Sequence, residues 1–277
     1  MSQGLKVSVI IPTFNRAHTL ERAINSVKAQ TFKQFELIIV DDGSTDNTAK
    51  LLKQYKDIKI ITQDNMGVSH ARNSAIAQAQ GQYISFLDSD DEWLPHKLEA
   101  QLQLLDSTNV KWVHGEEIWI RNGVRVNQMK KHKKGGGNQF IPSLERCMIS
   151  PSTVIIEKKI LEKAGCFRDD YPVCEDYDLW LKLTASHEIG FVSDPVIIKY
   201  GGHSDQLSSK FYAMDYWRVK SLDWVLANNK LSSEQRETVI NVLTKKAKIL
   251  MKGYQKHQNL RHFDEVERIF LKVGFFS

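Results

Sequence analysis

The chain has 277 residues, 42% of them hydrophobic, enough for one large core or two modest ones and too many for a disordered polypeptide. Its net charge of +5 comes from 38 basic and 33 acidic residues, with basic clusters at Lys130–Lys134 and towards the C-terminus; no nucleic-acid partner is expected, while an anionic ligand or peripheral contact with an anionic membrane is permitted. No apolar run approaches a membrane span of roughly eighteen residues, and Cys147, Cys166 and Cys174 show no metal spacing, so a cytoplasmic protein with reduced thiols is expected.

Lys6–Ile11 (KVSVII) is a β-branched run closed by Pro12 and reads as a strand buried on both faces, which points to a parallel sheet. Leu20, Ile24 and Val27 follow at helical spacing, and Phe35–Val40 supplies a second buried strand ahead of Asp41-Asp42-Gly43-Ser44. Asp46 or Ser44 can cap a helix carrying Leu51, Leu52 and Tyr55; Ile58–Thr62 is a third strand and 68–79 a third helix. Tyr83–Leu87 then runs into Asp88-Ser89-Asp90-Asp91. Carboxylates crowded at a strand end repel one another unless a cation sits among them, and hard oxygen donors select Mg²⁺ or Mn²⁺. Asp88 and Asp90 are therefore read as a DXD metal site.

Beyond Pro95 the pattern becomes mixed. Leu98, Leu102 and Leu105 mark a helix, Val110–Val113 and Glu116–Gln128 read as strands with Asn122-Gly123 as a hairpin turn, and Lys130–Asn138 (KKHKKGGGN) reads as a mobile loop too charged for a core. Ser152–Glu157 is a strand candidate, 158–164 and 175–185 are helices, and 191–200 is extended, ending at Gly201-Gly202-His203. From Asp205 onward the chain is helical, with Val239, Leu243, Ala247, Leu250 and Tyr254 as a stripe and Ser232 with Gln235 as a capping box. The alternation of strands and helices defines an α/β fold. Ligands in such sheets collect at the carboxyl ends of strands, where Thr13, Asp42, Asn65 and Asp88 all fall.

The ordered set VSVIIPTFN (7–15), VDDGSTD (40–46), Asn65-Met66-Gly67 with Ala71-Arg72-Asn73, and Asp88–Asp91 resembles the family 2 glycosyltransferases over roughly residues 5–205. The resemblance implies a GT-A fold with a mostly parallel, Rossmann-like sheet over residues 1–204, a nucleotide-binding half over about 1–95 and an acceptor half over about 96–204. A helical extension over 205–277 packs on it. It further implies an inverting transfer from a UDP- or GDP-linked sugar to a glycan or lipid-linked acceptor hydroxyl, in bacterial surface polysaccharide or glycan synthesis at the inner face of the membrane. Pro12, Thr13, Phe14 and Asp42 would meet the nucleoside, with Asn65 in the same site. Arg72 would lie near the diphosphate, Asp90 would ligate Mn²⁺ or Mg²⁺, and Asp88 would serve ribose, sugar or metal-bound water. Glu175-Asp176 matches the family's general-base pair, with Asp176 the base and Glu175 the second choice; Asp178 is expected to cap the helix. His203 is a further metal or diphosphate contact. The competing readings are a sugar nucleotidylyltransferase, which the glycine-free loop Pro12–Arg16 disfavours, and a non-catalytic nucleotide- or polyanion-binding module, which gains nothing from the carboxylates.

Overall fold

The computed structural model describes residues 6–127, 129, 132–202 and 211–274. Strands β1 (Val7–Thr13), β2 (Phe35–Asp41), β3 (Lys59–Thr62) and β4 (Tyr83–Phe86) alternate with helices α1 (Leu20–Lys28), α2 (Thr48–Leu52) and α3 (Val68–Gln78). Their pairings β3-β2-β1-β4 are all parallel. All seven residues of β1 are buried, as its unbroken apolar run requires of a strand covered on both faces. Pro12 is tolerated because β4 pairs with β1 only as far as Ile10, leaving that edge without a ladder partner at the proline.

The rest of the sheet is mixed. After the two-residue β5 (Glu92–Trp93) and α4 (Lys97–Ser107) come β6 (Trp112–Arg121) and β7 (Val124–Val126), then the one-turn α5 (Phe140–Ser143), β8 (Ile155–Glu157), α6 (Lys158–Lys163), α7 (Glu175–Thr184) and β9 (Gly190–Gly201). The full order is β3-β2-β1-β4-β8-β6-β9-β5, with β7 hairpinned onto β6. β8 runs antiparallel to β4 and β6, whereas β6 and β9 are parallel. Two strands expected at 110–113 and 116–128 are thus largely one strand, β6, opposite whose Gly115–Glu117 the partner β9 bulges between Val192 and Ile197. The Asn122-Gly123 turn is present, with φ of 49° and 77°. The strand candidate at 152–157 begins as a 3-10 turn, Pro151–Thr153, and only Ile155–Glu157 pairs.

Side chains alternate across the sheet. Val7, Val9 and Ile11 pack under α1 and α4, while Ile10, Ile38, Ile84 and Phe86 meet α3 and one side of α7 through Ala71, Ala75, Leu179 and Trp180. The opposite side of α7 faces three C-terminal helices, α8 (Asp215–Asn228), α9 (Ser233–Lys256) and α10 (Phe263–Gly274). There Tyr177 and Leu181 share a core with Val219, Leu222, Val239, Leu243, Ala247 and Val266. Helix α7 is consequently a middle layer, apolar on both sides. The capping box at the head of α9 is formed: Ser232 Oγ accepts from Gln235 N and Gln235 Oε1 accepts from Ser232 N. Among the described residues no helix is long and apolar enough to cross a membrane.

The segment expected to be a free basic loop is anchored where it is described. Lys134 forms an ion pair with Glu117, their side chains only 5% and 1% exposed, and Gly137 bridges to Ile189. His114 Nε2 lies 2.8 Å from Gly135 O, and burial pushes the His114 pKa down to about 4, so the ring is neutral and donates to that carbonyl. A lysine this deep is held by its carboxylate partner, a pairing that composition does not reveal. Lys130 and Lys131 lie outside the described residues.

Candidate active site

A cleft of about 640 Å³ opens at the carboxyl ends of β1 and β4. That is the switch point of the parallel half: the chain leaves β1 towards β2 on one side and has β4 on the other, so the loops after β1 and β4 diverge and leave a crevice. Pro12, Thr13, Phe14, Asp42, Asn65, Arg72, Asp88, Asp90, Glu175 and Asp176 all line it. These are all the site residues read from the sequence except His203, which lies outside the described residues.

One wall is built from loops that clamp each other. Asn15 takes a left-handed backbone (φ 54°), which lets its Oδ1 accept from Thr45 N and Asp46 N while its own N–H donates to Ser44 Oγ. The cap position of α2 falls to Asn47 rather than to Asp46 or Ser44, and Asp46, one residue earlier, accepts from Thr48 N at 2.8 Å. Asp42 is buried, and its carboxylate accepts from Gln63 Nε2, Met66 N and Gly67 N at 2.7–2.9 Å, holding the Asn65–Gly67 turn at the head of α3. Phe14 is 42% exposed at the rim, where an apolar face is available to a planar ring.

The charged wall is organised by Arg72. It is 3% exposed, donates from Nη2 to Asp88 Oδ1 and from Nη1 to Glu175 Oε1, both at 2.8 Å, and lies over the Phe167 ring. The guanidinium thereby ties the DXD turn to the head of α7, a link no local pattern in the sequence discloses. Burial, then the neighbouring Asp176 charge, raise the Glu175 pKa to about 7 despite the opposing pull of Arg72. Asp176 is half-buried; its Oδ1 accepts from Tyr177 N at 2.6 Å and its Oδ2 accepts from the Cys147 thiol at 3.3 Å. Cys174, which heads α7, has a left-handed backbone with φ 62°, a conformation of the kind that collects at functional sites. Asp178 does not cap the helix as expected. It is buried and paired with Lys182 four residues on, beneath Trp224.

Burial and the Asp88 charge push the Asp90 pKa up, against the pull of Arg16 and Lys199. Asp91 is buried, accepts from Ser152 Oγ and Tyr200 N, and is raised to about 8, burial being the main cause. Lys199 was not singled out from the sequence. Burial opposes its charge, yet Asp91, Glu117, Asp88 and Asp176 together outweigh burial and raise its pKa. The available signal was a lone lysine in the otherwise apolar run Val196–Tyr200.

A sheet of this topology, with paired carboxylates and a nucleoside-sized crevice at the switch point, defines the GT-A class of sugar-transferring enzymes. The chain belongs to glycosyl transferase family 2, whose family model matches residues 8–165, and is a glycosyltransferase. It is 34% identical over 190 residues to the UDP-Glc:alpha-D-GlcNAc-diphosphoundecaprenol beta-1,3-glucosyltransferase WfgD of Escherichia coli, covering 68% of this chain and 73% of that protein. It is also 34% identical over 213 residues to an uncharacterized glycosyltransferase of Rickettsia conorii, covering 74% of this chain but 35% of that protein. Among solved structures, S. aureus TarS 1-349 in complex with UDP-GlcNAc superposes with a TM-score of 0.69 at 22% identity, covering 97% of this chain and 79% of that chain. The family match ends before α7, so it does not include Glu175 or Asp176.

Proposed function

We propose that this protein is an inverting, divalent-cation-dependent glycosyltransferase that moves a sugar from a UDP-linked donor to a lipid-linked glycan in bacterial surface-polysaccharide synthesis. The observation that carries the reading is the convergence of Asp88 and Asp90 with Glu175 and Asp176 on one cleft, joined through Arg72. The printed activity of the E. coli relative and the UDP-GlcNAc bound to S. aureus TarS support the choice of donor and acceptor class.

Asp88 and Asp90 fit a hard divalent ion. They are oxygen donors, and the rise in the Asp90 pKa marks a carboxylate lacking enough compensating positive charge. Mg²⁺-type ions are held by one or two carboxylates together with substrate phosphates, so this pair needs no closed protein cage. Bound there, the cation would offset the negative charge that builds on the departing diphosphate. Asp176 takes the proton of the acceptor hydroxyl as the new C–O bond forms on the face opposite the leaving group, so configuration inverts. Its two hydrogen bonds fix the carboxylate for that task. Asp90→Ala is expected to weaken UDP binding in the presence of Mn²⁺ by about 10–100-fold, to the metal-free level, with the fold intact. Titration calorimetry of UDP and GDP with and without Mn²⁺ checks this; equal metal dependence in wild type and variant removes Asp90 from the ion, and tighter binding of GDP corrects the donor base.

A membrane-borne acceptor also gives a role to the solvent face of α9. Lys245, Lys248, Lys252 and Lys256 are exposed at helical spacing around Ile249, which is 59% exposed. This stripe suits an anionic bilayer. Replacing Lys248, Lys252 and Lys256 by Gln is expected to abolish co-sedimentation with phosphatidylglycerol vesicles at low salt, and undiminished co-sedimentation would dismiss the stripe.

A further inference from the structure

Four tryptophans, Trp93, Trp112, Trp119 and Trp180, are contenders for an aromatic surface beneath a sugar ring, and burial separates them. Trp93, Trp112 and Trp180 are at most 2% exposed and belong to the core. Trp119 is half-buried and lines a second cavity, of about 370 Å³, beside β6 and β7 with Glu116, Arg125, Met129 and Lys133. Its ring is held in place. The indole N–H donates to Glu117 Oε2 at 2.6 Å, and Glu117 is itself fixed by its buried ion pair with Lys134.

The position relative to the main cleft follows from strand register. Trp119 pairs with Lys199 in the parallel β6–β9 ladder, so both side chains leave the same face of the sheet on strands roughly 4.8 Å apart. Lys199 lines the main cleft. Asp176 lines that cleft as well, so the Trp119 cavity adjoins the main cleft through the ladder neighbour of Trp119.

We infer that the Trp119 cavity is the subsite for the acceptor's sugar, with the indole face under the apolar C–H face of a pyranose ring and Lys133, which lines the same cavity, receiving an anionic group such as phosphate. A pyranose presents C–H bonds on one face and hydroxyls round its edge, so an aromatic plane with the polar Glu117 and Lys133 in the same cavity matches both. A cation there suits an acceptor whose sugar is joined to diphosphate. The anchoring of Lys134 acquires a purpose here, since it holds one wall of the cavity before any ligand arrives.

This assignment rests on the reading of the protein as a transferase to a glycan acceptor, and the test keeps the two apart. The probes are UDP-glucose as donor and a synthetic GlcNAc-diphosphate carrying a short alkyl chain as acceptor. Trp119→Ala is expected to raise KM for the acceptor about tenfold, in line with the loss of one aromatic contact, while Kd for UDP-glucose changes less than about twofold. Trp119→Phe is expected to recover most of the loss, which a merely destabilised fold would not allow. Lys133→Ala is expected to raise the same KM without changing donor binding. An unchanged acceptor KM in Trp119→Ala overturns the subsite. If wild type binds UDP-glucose but transfers nothing to this acceptor, the functional reading is at fault; direct titration of the acceptor then still decides, and equal Kd in wild type and Trp119→Ala overturns the subsite.

Discussion

Asp176→Asn is expected to lower kcat by about 10²–10⁴-fold while UDP-sugar binds with near-normal affinity, because a general base contributes that much and the amide is nearly isosteric. The structure sharpens the expectation through the two neighbours on α7. Glu175 is the more perturbed acid, raised to about 7, but one of its oxygens already accepts from Arg72 in a buried pair. Asp176 is the less buried of the two, and the Cys147 thiol and the Tyr177 N–H orient it without supplying a full positive charge. Single-turnover measurement of UDP release separates the outcomes. If Glu175→Gln loses the rate and Asp176→Asn does not, the base is one residue earlier; if neither does, the α7 acids are structural.

Arg72→Met is expected to destabilise the fold by about 3 kcal/mol, read as a lower denaturant midpoint. Removing one partner of a buried ion pair leaves an uncompensated charge, here two carboxylates, Asp88 and Glu175; the low end of the usual roughly 3–5 kcal/mol applies because Asp88 keeps contact with water. The pH dependence has a definite sign. With a folded pKa above its unfolded value of 4.5, Glu175 makes its full contribution to stability below about pH 4.5 and loses it as pH rises through about 7. Without Arg72 the folded pKa climbs further, so the deficit of the variant widens from acid towards neutral and alkaline pH. A loss under about 1 kcal/mol that does not vary with pH would mean that the pair is dispensable and that Arg72 is free to serve the diphosphate, as its place in the motif first implied.

The parallel half of the sheet was legible because its elements obey local rules. Strands buried on both faces appear as unbroken apolar runs, and loops at their carboxyl ends carry the polar residues, so Thr13, Asp42 and Asp88 were placed on one rim from spacing alone. The mixed half of the sheet was less legible because its pairings are non-local. Nothing within β6 announces that residues 112–121 form one strand; the parallel neighbour β9, far along the chain, decides it. Lys134, Asp178 and Lys199 were misread or missed for a single reason: each is a charge whose burial is explained by a partner, and partners such as Glu117 and Asp91 are assigned by tertiary structure. The Arg72 bridge is the same case at the centre of the site, joining residues 103 positions apart.

The position of α7 between two cores bears on how such enzymes can exchange parts during evolution. One side of the helix is shaped to the sheet through Leu179 and Trp180, the other to the C-terminal helices through Tyr177 and Leu181. A crossover that brings in a new tail after Gly202 cuts the second core and asks foreign side chains to fit the back of the helix that carries Glu175 and Asp176. A crossover after Gly165, where the family match also ends, moves helix, acids and tail as one inherited block. The β6–β9 and β5–β9 pairings, the packing of Leu179 and Trp180 on the sheet and the Arg72–Glu175 ion pair then have to be matched anew. Soluble yields of the two kinds of chimera with a related enzyme compare these routes, and the later junction is expected to fail more often. On this view α7 and the C-terminal helices behave as one unit of exchange.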